Sequence, residues 1–211
     1  MTIEAVIFDL GGVVISSPMQ AFANAEKEQG LEANFINHMI VENGHDSAWG
    51  KLERGEMAMN AEFFALFDSE LSVAGAPGLS SEAIFTEVAG SGGVFHNMIN
   101  AIVKLREAGY KLAALTNNWV NDDAPSSNTE IKPLFDVFVE SAVEGVRKPD
   151  PRIYQIALER LDVAAESAVF LDDIGQNLKS ARALGLTTIK VVNPDDAIVE
   201  LEAILGLSLT A

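Results

Sequence analysis

The sequence predicts an α/β protein: a mainly parallel sheet with helices on both faces, interrupted after its first strand by an all-helical insertion. Three observations predict it. The apolar run "VIFDLGGVV", Val6 to Val14, reads as a buried strand entering a glycine turn. From about Val94 onward, helix-period and strand-like segments alternate, the rhythm of parallel strands joined by crossover helices. Between these two regions, from about Ser16 to Ser91, no strand candidate occurs.

Within that insertion "MQAFANAEKEQG", "ANFINHMIVENG", "NAEFFALFDSEL" and "SEAIFTEVAG" read as helices separated by glycine, proline or polar breaks. Trp49, Phe63, Phe64 and Phe67 suit a core of the segment's own. An insertion at this point sits over the end of the sheet, where it can close on a ligand. The expected organisation is therefore a core of residues 1–15 and 92–211, with a helical cap over residues 16–91.

Past the insertion, "MINAIVKLREAG" places Met98, Ile99, Ile102, Val103 and Leu105 on one helical face, with Gly109 as its stop signal. "KLAALT" is the next strand and "DVFVES" the one after it. "PRIYQIALERL" opens a helix with proline, "AVFLD" is a strand, "QNLKSARALG" a helix and "TTIKVV" the final strand.

Composition narrows the function. The chain has 211 residues, 48% of them hydrophobic and 21% charged, enough to fill a packed core. A net charge of −17 argues against nucleic acid or an anionic membrane surface as partner. An anionic substrate then requires a local cation to reverse the sign. The absence of cysteine excludes disulfides, thiolate metal sites and a cysteine nucleophile. No signal-peptide pattern and no apolar run of spanning length occurs, so a cytoplasmic location is expected.

Asp9 ends the first strand, Thr116 ends "LAALT", and Asp172 and Asp173 end "AVFLD". Parallel strands bring these side chains to one edge, and Lys148, in "VRKPDP", can reach it because a residue before proline is biased to extended geometry. Each alone also suits a plain role: Asp9 a turn, Thr116 with Asn117 and Asn118 a cap, Lys148 a solvated surface, the aspartate pair a helix N-cap. Together they suit phosphoryl transfer through an aspartyl-phosphate, with carboxylate oxygens offering magnesium the partial shell it prefers.

Read in order, "FDLGGVV", "LTNN", "RKPDPRIY" and "FLDDIGQNLKSARALG" resemble the four motifs of the haloacid dehalogenase (HAD) superfamily, over the whole chain. "LTNNWVNDD" and "FLDDIGQNLKSARALGLTTI" are most similar to the N-terminal phosphatase domain of soluble epoxide hydrolases and to the related domain fused to some acyl-CoA dehydrogenases. No epoxide-hydrolase or dehydrogenase portion is expected in this sequence. The resemblance implies a HAD-like Rossmannoid fold with a helical (C1-type) cap and a Mg²⁺-dependent phosphatase acting on a small-molecule phosphate ester. It implies Asp9 as nucleophile, with Asp9, Asp173 and the Gly11 carbonyl as metal ligands. Thr116, the Asn117 amide and Lys148 would hold the phosphate; Asp172 would support from behind or bind the metal through a water, and Asn177 would steady its loop.

One position departs from that pattern. Most phosphatases of the superfamily carry, two residues after the nucleophile, an aspartate that protonates the leaving oxygen; here it is Gly11. A phosphatase that is slow, or restricted to good leaving groups, is then expected, since positioned acid–base catalysis is typically worth ~10²–10⁴ in rate. His45 is a candidate substitute, though a surface role suits it better, and Lys51 and Arg54 suit a solvated helix end better than substrate contact. A non-catalytic phosphate-ligand binder or regulatory protein is the alternative. A haloacid dehalogenase is the second alternative, disfavoured because such enzymes use no metal and lack the late aspartate pair.

Overall fold

The computed structural model describes residues 2–91, 93–120 and 130–210. Five strands form one parallel sheet: β1 (Ala5–Phe8), β2 (Lys111–Thr116), β3 (Val137–Glu140), β4 (Ala168–Asp172) and β5 (Thr187–Lys190). Their order across the sheet is β3-β2-β1-β4-β5. The chain therefore works outward from β1 on one side and then returns to the other, so the order reverses between β1 and β4. In open sheets of this kind the crevice outside the carboxyl ends at the reversal is where ligands bind.

The helices follow in chain order. Five precede β2 as an insertion: α1 (Met19–Glu28), α2 (Phe35–Asn43), α3 (Ala48–Glu53), α4 (Ala61–Ala74) and α5 (Ser81–Ser91). Then come α6 (His96–Glu107), α7 (Ser141–Glu144), α8 (Pro151–Leu161), α9 (Gly175–Ala183) and α10 (Pro194–Leu205). Helix α8 begins as its sequence dictates: the Asp150 carboxylate caps the Arg152 N–H, and Pro151 occupies a first-turn position that needs no N–H.

Strand alternation divides the core. Val6 and Phe8 of β1 face Met98, Ile102 and Leu105 of α6 with Ile198 and Leu201 of α10. Ala5 and Ile7 face the other way, onto Ile153, Tyr154 and Ala157 of α8 and Leu178 of α9. The inserted helices bury a third cluster of their own, in which Phe22, Trp49, Phe63, Phe67 and Phe85 meet edge-on or stacked, with Phe64 packed against them.

Several expectations change in detail. The first strand ends at Phe8, and residues 9–15 form a turn in which Val14 and Ile15 both donate to the Leu10 carbonyl. Val103 is exposed, and Ala101 takes its place on the buried face of α6. Helices α3, α7 and α10 add to those read from the sequence. Among the described residues, no helix is long and apolar enough to cross a membrane. The acidic stretch 121–127 lies outside the described residues.

Candidate active site

Asp9 is the first residue past β1, and its backbone N–H still donates to the Leu171 carbonyl of β4 at 2.9 Å. That bond locks the ends of β1 and β4 together at the point where the strand order reverses. Asp172 closes β4, and Asp173 follows it. Carboxylate oxygens of Asp9, Asp172 and Asp173 lie within 4.8 Å of one another.

Lys148 lies in the middle of this group. Its ammonium is 2.8 Å from Asp9 Oδ1 and 2.7 Å from Asp172 Oδ2, and the residue is only 1% exposed. The expected reaching side chain is therefore a fully buried one, since only burial brings it between acids from two different strands. Asp172 is the better tethered of the two: it also accepts the Ile174 N–H at 2.7 Å and the Asn177 side-chain amide at 3.1 Å on both oxygens. The Tyr154 hydroxyl, which sequence reading missed, donates to the Asn177 carbonyl at 3.0 Å and props that loop from beneath. Asp9 Oδ1 accepts the Leu10 N–H at 2.7 Å.

Thr116 and Asn117 stand at the carboxyl end of β2, the strand beside β1, with Thr116 two residues past Ala114, the partner of Phe8. Asn117 clamps the Lys148 backbone from both sides: its Oδ1 accepts the Lys148 N–H at 2.8 Å and its Nδ2 donates to the Lys148 carbonyl at 3.1 Å. Asn117 and Lys148 are thus one unit although they come from separate segments.

Gly11 and Gly12 form the turn opposite Asp173. Gly12 has φ +78°, and a Cβ built on it would overlap Asp173 Oδ2, so the turn packs against that carboxylate only because no side chain intervenes. Gly11 is different. Its φ is not positive, and a Cβ there would meet nothing closer than Pro18 Cδ at 3.9 Å.

Electrostatically the cluster is incomplete. The Lys148 ammonium pairs with two of the three carboxylates, Asp9 and Asp172, and the group as a whole is short of positive charge. Burial pushes the Asp9 carboxyl well above its usual range, with Lys148 opposing. Asp173 is pushed up to about 6, by burial first and by the charge of Asp172 second. Burial pulls the Lys148 ammonium down, but Asp172 and Asp9 outweigh it and the net direction is up. Buried charge without a partner is costly. The donor set suits a hard divalent cation: oxygens only, no imidazole or sulfur in the cluster, and a turn held close by Gly12.

His45 does not join this group. Its ring is 74% exposed, lies 3.3 Å from Asp46, and borders a cleft of about 270 Å³ whose lining includes neither Asp9 nor Asp173. Arg54 is buried rather than solvated, held by both oxygens of Glu56 and by the His45 carbonyl.

Known proteins share this arrangement's sequence and fold. A family model described as haloacid dehalogenase-like hydrolase matches residues 3–185. Mouse acyl-CoA dehydrogenase family member 10 is 38% identical over 208 residues, 98% of this chain but 19% of that protein. Porcine bifunctional epoxide hydrolase 2 is 32% identical over 221 residues, 99% of this chain and 40% of that protein. The chain thus spans less than half the length of either. The sesquiterpene phosphatase astK of Aspergillus oryzae is 27% identical over 207 residues, covering 97% of this chain and 98% of the relative. Among solved structures, HAD family enzyme bt-2542 of Bacteroides thetaiotaomicron, in complex with magnesium and inorganic phosphate, superposes with a TM-score of 0.62 at 23% identity. That match covers 90% of this chain and 96% of the other.

Proposed function

Since the chain belongs to the haloacid dehalogenase-like hydrolase family, we propose that it hydrolyses a small phosphomonoester through phospho-Asp9. The observation that carries this reading is the cluster of Asp9, Asp172 and half-buried Asp173, with Lys148 bridging the first two, short of positive charge at the strand-order reversal.

The two bonds described for Asp9 both fall on Oδ1, so Oδ2 is the oxygen that attacks phosphorus. The ester P–O bond breaks and the alcohol oxygen leaves with the bonding pair. Lys148 gives two of its three N–H bonds to carboxylates and keeps the third for a phosphoryl oxygen. The Thr116 hydroxyl and the Asn117 N–H donate to the others, opposing the charge that develops there. Water then attacks the acyl phosphate, inorganic phosphate departs, and the Asp9 carboxylate is restored. Asp9, Asp173 and the Gly11 carbonyl would hold Mg²⁺, which when bound neutralises the excess acid and the substrate phosphate. Asp172 and Asn177 keep Lys148 and the Asp173 loop in place. Residues 16–91 act as the cap on a core of 1–15 and 92–211.

With glycine at position 11, the leaving oxygen takes its proton from water. Aryl and acyl phosphates, whose leaving groups need little protonation, are the substrates this site handles best. The phosphatase name of astK, a relative matched over nearly its whole length, supports phosphate chemistry, as does the magnesium and phosphate complex of bt-2542.

An aryl phosphate assay tests the reading. Turnover is expected with Mg²⁺, is lost in chelator, and falls by at least ~10⁴-fold in Asp9→Asn, as when a covalent nucleophile is removed. Phosphate binding without turnover would favour a non-catalytic phosphate-ligand binder, the reading that Gly11 keeps open. Halide release from 2-haloacids in chelator would replace both with a dehalogenase.

A further inference from the structure

Glu53 is a buried carboxylate that the mechanism above does not use. It closes α3 of the inserted helices, is 5% exposed, and reaches across to the sheet. Its Oε2 is 2.8 Å from Arg147 Nε and 3.4 Å from Asn117 Nδ2. These two partners share a second target, because Arg147 Nε donates to the Lys148 carbonyl at 3.3 Å and Asn117 Nδ2 donates to it at 3.1 Å. Both donors that fix the Lys148 backbone therefore hang on one carboxylate supplied by the inserted segment.

The surroundings make this contact part of a seam. Gly55, just past α3, has φ +69° and lies so close to the Ala142 carbonyl of α7 that a Cβ would overlap it. The Met59 N–H donates to the Val120 carbonyl at 3.1 Å. Trp119 packs on Trp49 and Phe85, with ring centroids 6.0 and 5.8 Å apart, inside the aromatic cluster of the inserted helices. Segment 117–120, which carries Asn117, is thus built into the insertion as well as into the sheet.

A seam between two packed surfaces gains nothing from a buried ion pair that apolar residues would not supply as well. What the charge adds is direction. We propose that Glu53 is a positioning residue for the phosphate site: through Arg147 and Asn117 it sets the Lys148 segment, so that docking of the inserted helices completes the site. This rests on the assignment of Asn117 and Lys148 to phosphate. It predicts that helices remote in sequence from the chemistry control how tightly the anion is held.

The test compares Glu53→Ala, Glu53→Gln and Phe67→Leu in the full chain. Phe67 packs in the same helical core, and the ring contacts described for it are with Trp49 and Phe63 of that core. Glu53→Ala is expected to lower kcat/KM for an aryl phosphate about 10- to 100-fold, the loss typical of slightly misplaced groups, and to weaken competitive inhibition by inorganic phosphate. Glu53→Gln keeps an acceptor for Asn117 and should recover part of that loss. Phe67→Leu should lower the melting temperature and leave the kinetic constants in place. Unchanged kinetics and phosphate inhibition in Glu53→Ala would overturn the inference, as would Phe67→Leu reproducing its losses. If the wild-type protein shows no turnover, the phosphatase reading has failed. Calorimetry with inorganic phosphate and Mg²⁺ then decides for Glu53 alone: weaker binding in Glu53→Ala sustains the inference, and equal binding, or none in the wild type, overturns it.

Discussion

The sheet edge and the inserted helices both bury charge, and they balance it differently. In the helices Arg54 holds both oxygens of Glu56, Glu53 faces Arg147, and Glu26 caps the N–H groups of Asn34 and Ile36, while Glu70 uses one oxygen on the Ala48 N–H and leaves the other buried without a hydrogen bond. At the sheet edge three aspartates cluster and one lysine bridges two of them, Asp9 and Asp172. A matched pair is complete in itself, whereas an unmatched one persists in a fold only where something else completes it. The difference favours the sheet edge as the place where a ligand completes the balance, independently of any motif.

The largest effect follows from removing the buried lysine at the sheet edge. Lys148→Met leaves Asp9 and Asp172 buried without their countercharge, and such losses typically cost about 3–5 kcal/mol. Urea unfolding in chelator should show it, and adding Asp172→Asn should recover part of it. Arg54→Met, whose partner Glu56 is half exposed, should cost clearly less. Equal costs for the two would break the contrast between the regions.

The contrast also explains what could be read from the sequence. Asp9, Thr116 and Asp172 were legible because parallel strands share a direction, so residues that end strands meet at one edge. The aromatic core of the helices was legible from Trp49, Phe63 and Phe67. Lys148 was legible as a member of the site but not as a buried residue, because its burial depends on acids brought in by two other strands. Arg54 read as a solvated helix end because the His45 carbonyl that helps bury it is fixed only by the fold. Helix α3 was missed since six residues with a central glycine show no period, and its one local signal is Ser47, whose hydroxyl caps the Gly50 N–H. Without α3, Glu53 had no address, and no spacing rule links it to Asn117 or Arg147.

The middle-sized effect concerns the two adjacent glycines. Gly12 is required by its φ and by Asp173, but Gly11 is required by neither backbone nor packing. Gly11→Asp should therefore fold, and it places an acid–base group two residues past the nucleophile. Alkyl phosphates, with poor leaving groups, should speed up by as much as ~10²-fold, and aryl phosphates much less. Equal or slower rates for both would show that another step limits turnover, or that a proton donor is already in place.

The smallest effect is the pH dependence that Asp173 adds at the sheet edge. Asp173 is pushed up to about 6 against an ordinary value of 3.8, by burial first and Asp172 second. Between those values the folded metal-free protein keeps a proton that the unfolded chain has released. The stabilisation this proton gives is complete below the ordinary value and is lost as pH rises through about 6. A tenfold difference in proton affinity between the folded and unfolded states is worth about 1.4 kcal/mol, so unfolding free energy in chelator should decline by a few kcal/mol at most across the window. Magnesium is expected to reverse the trend, because a carboxylate must be deprotonated to act as a ligand. The rise in melting temperature caused by Mg²⁺ should accordingly be small near pH 5 and grow through pH 6. Asp173→Asn should flatten the Mg²⁺ curve and remove its own share of the metal-free decline, the share of buried Asp9 remaining, while leaving the ion pairs of the helical segment untouched. A Mg²⁺ effect of the same size at both ends of the window would mean that Asp173 does not take part in holding the ion, and the charge deficit at the sheet edge would need another explanation.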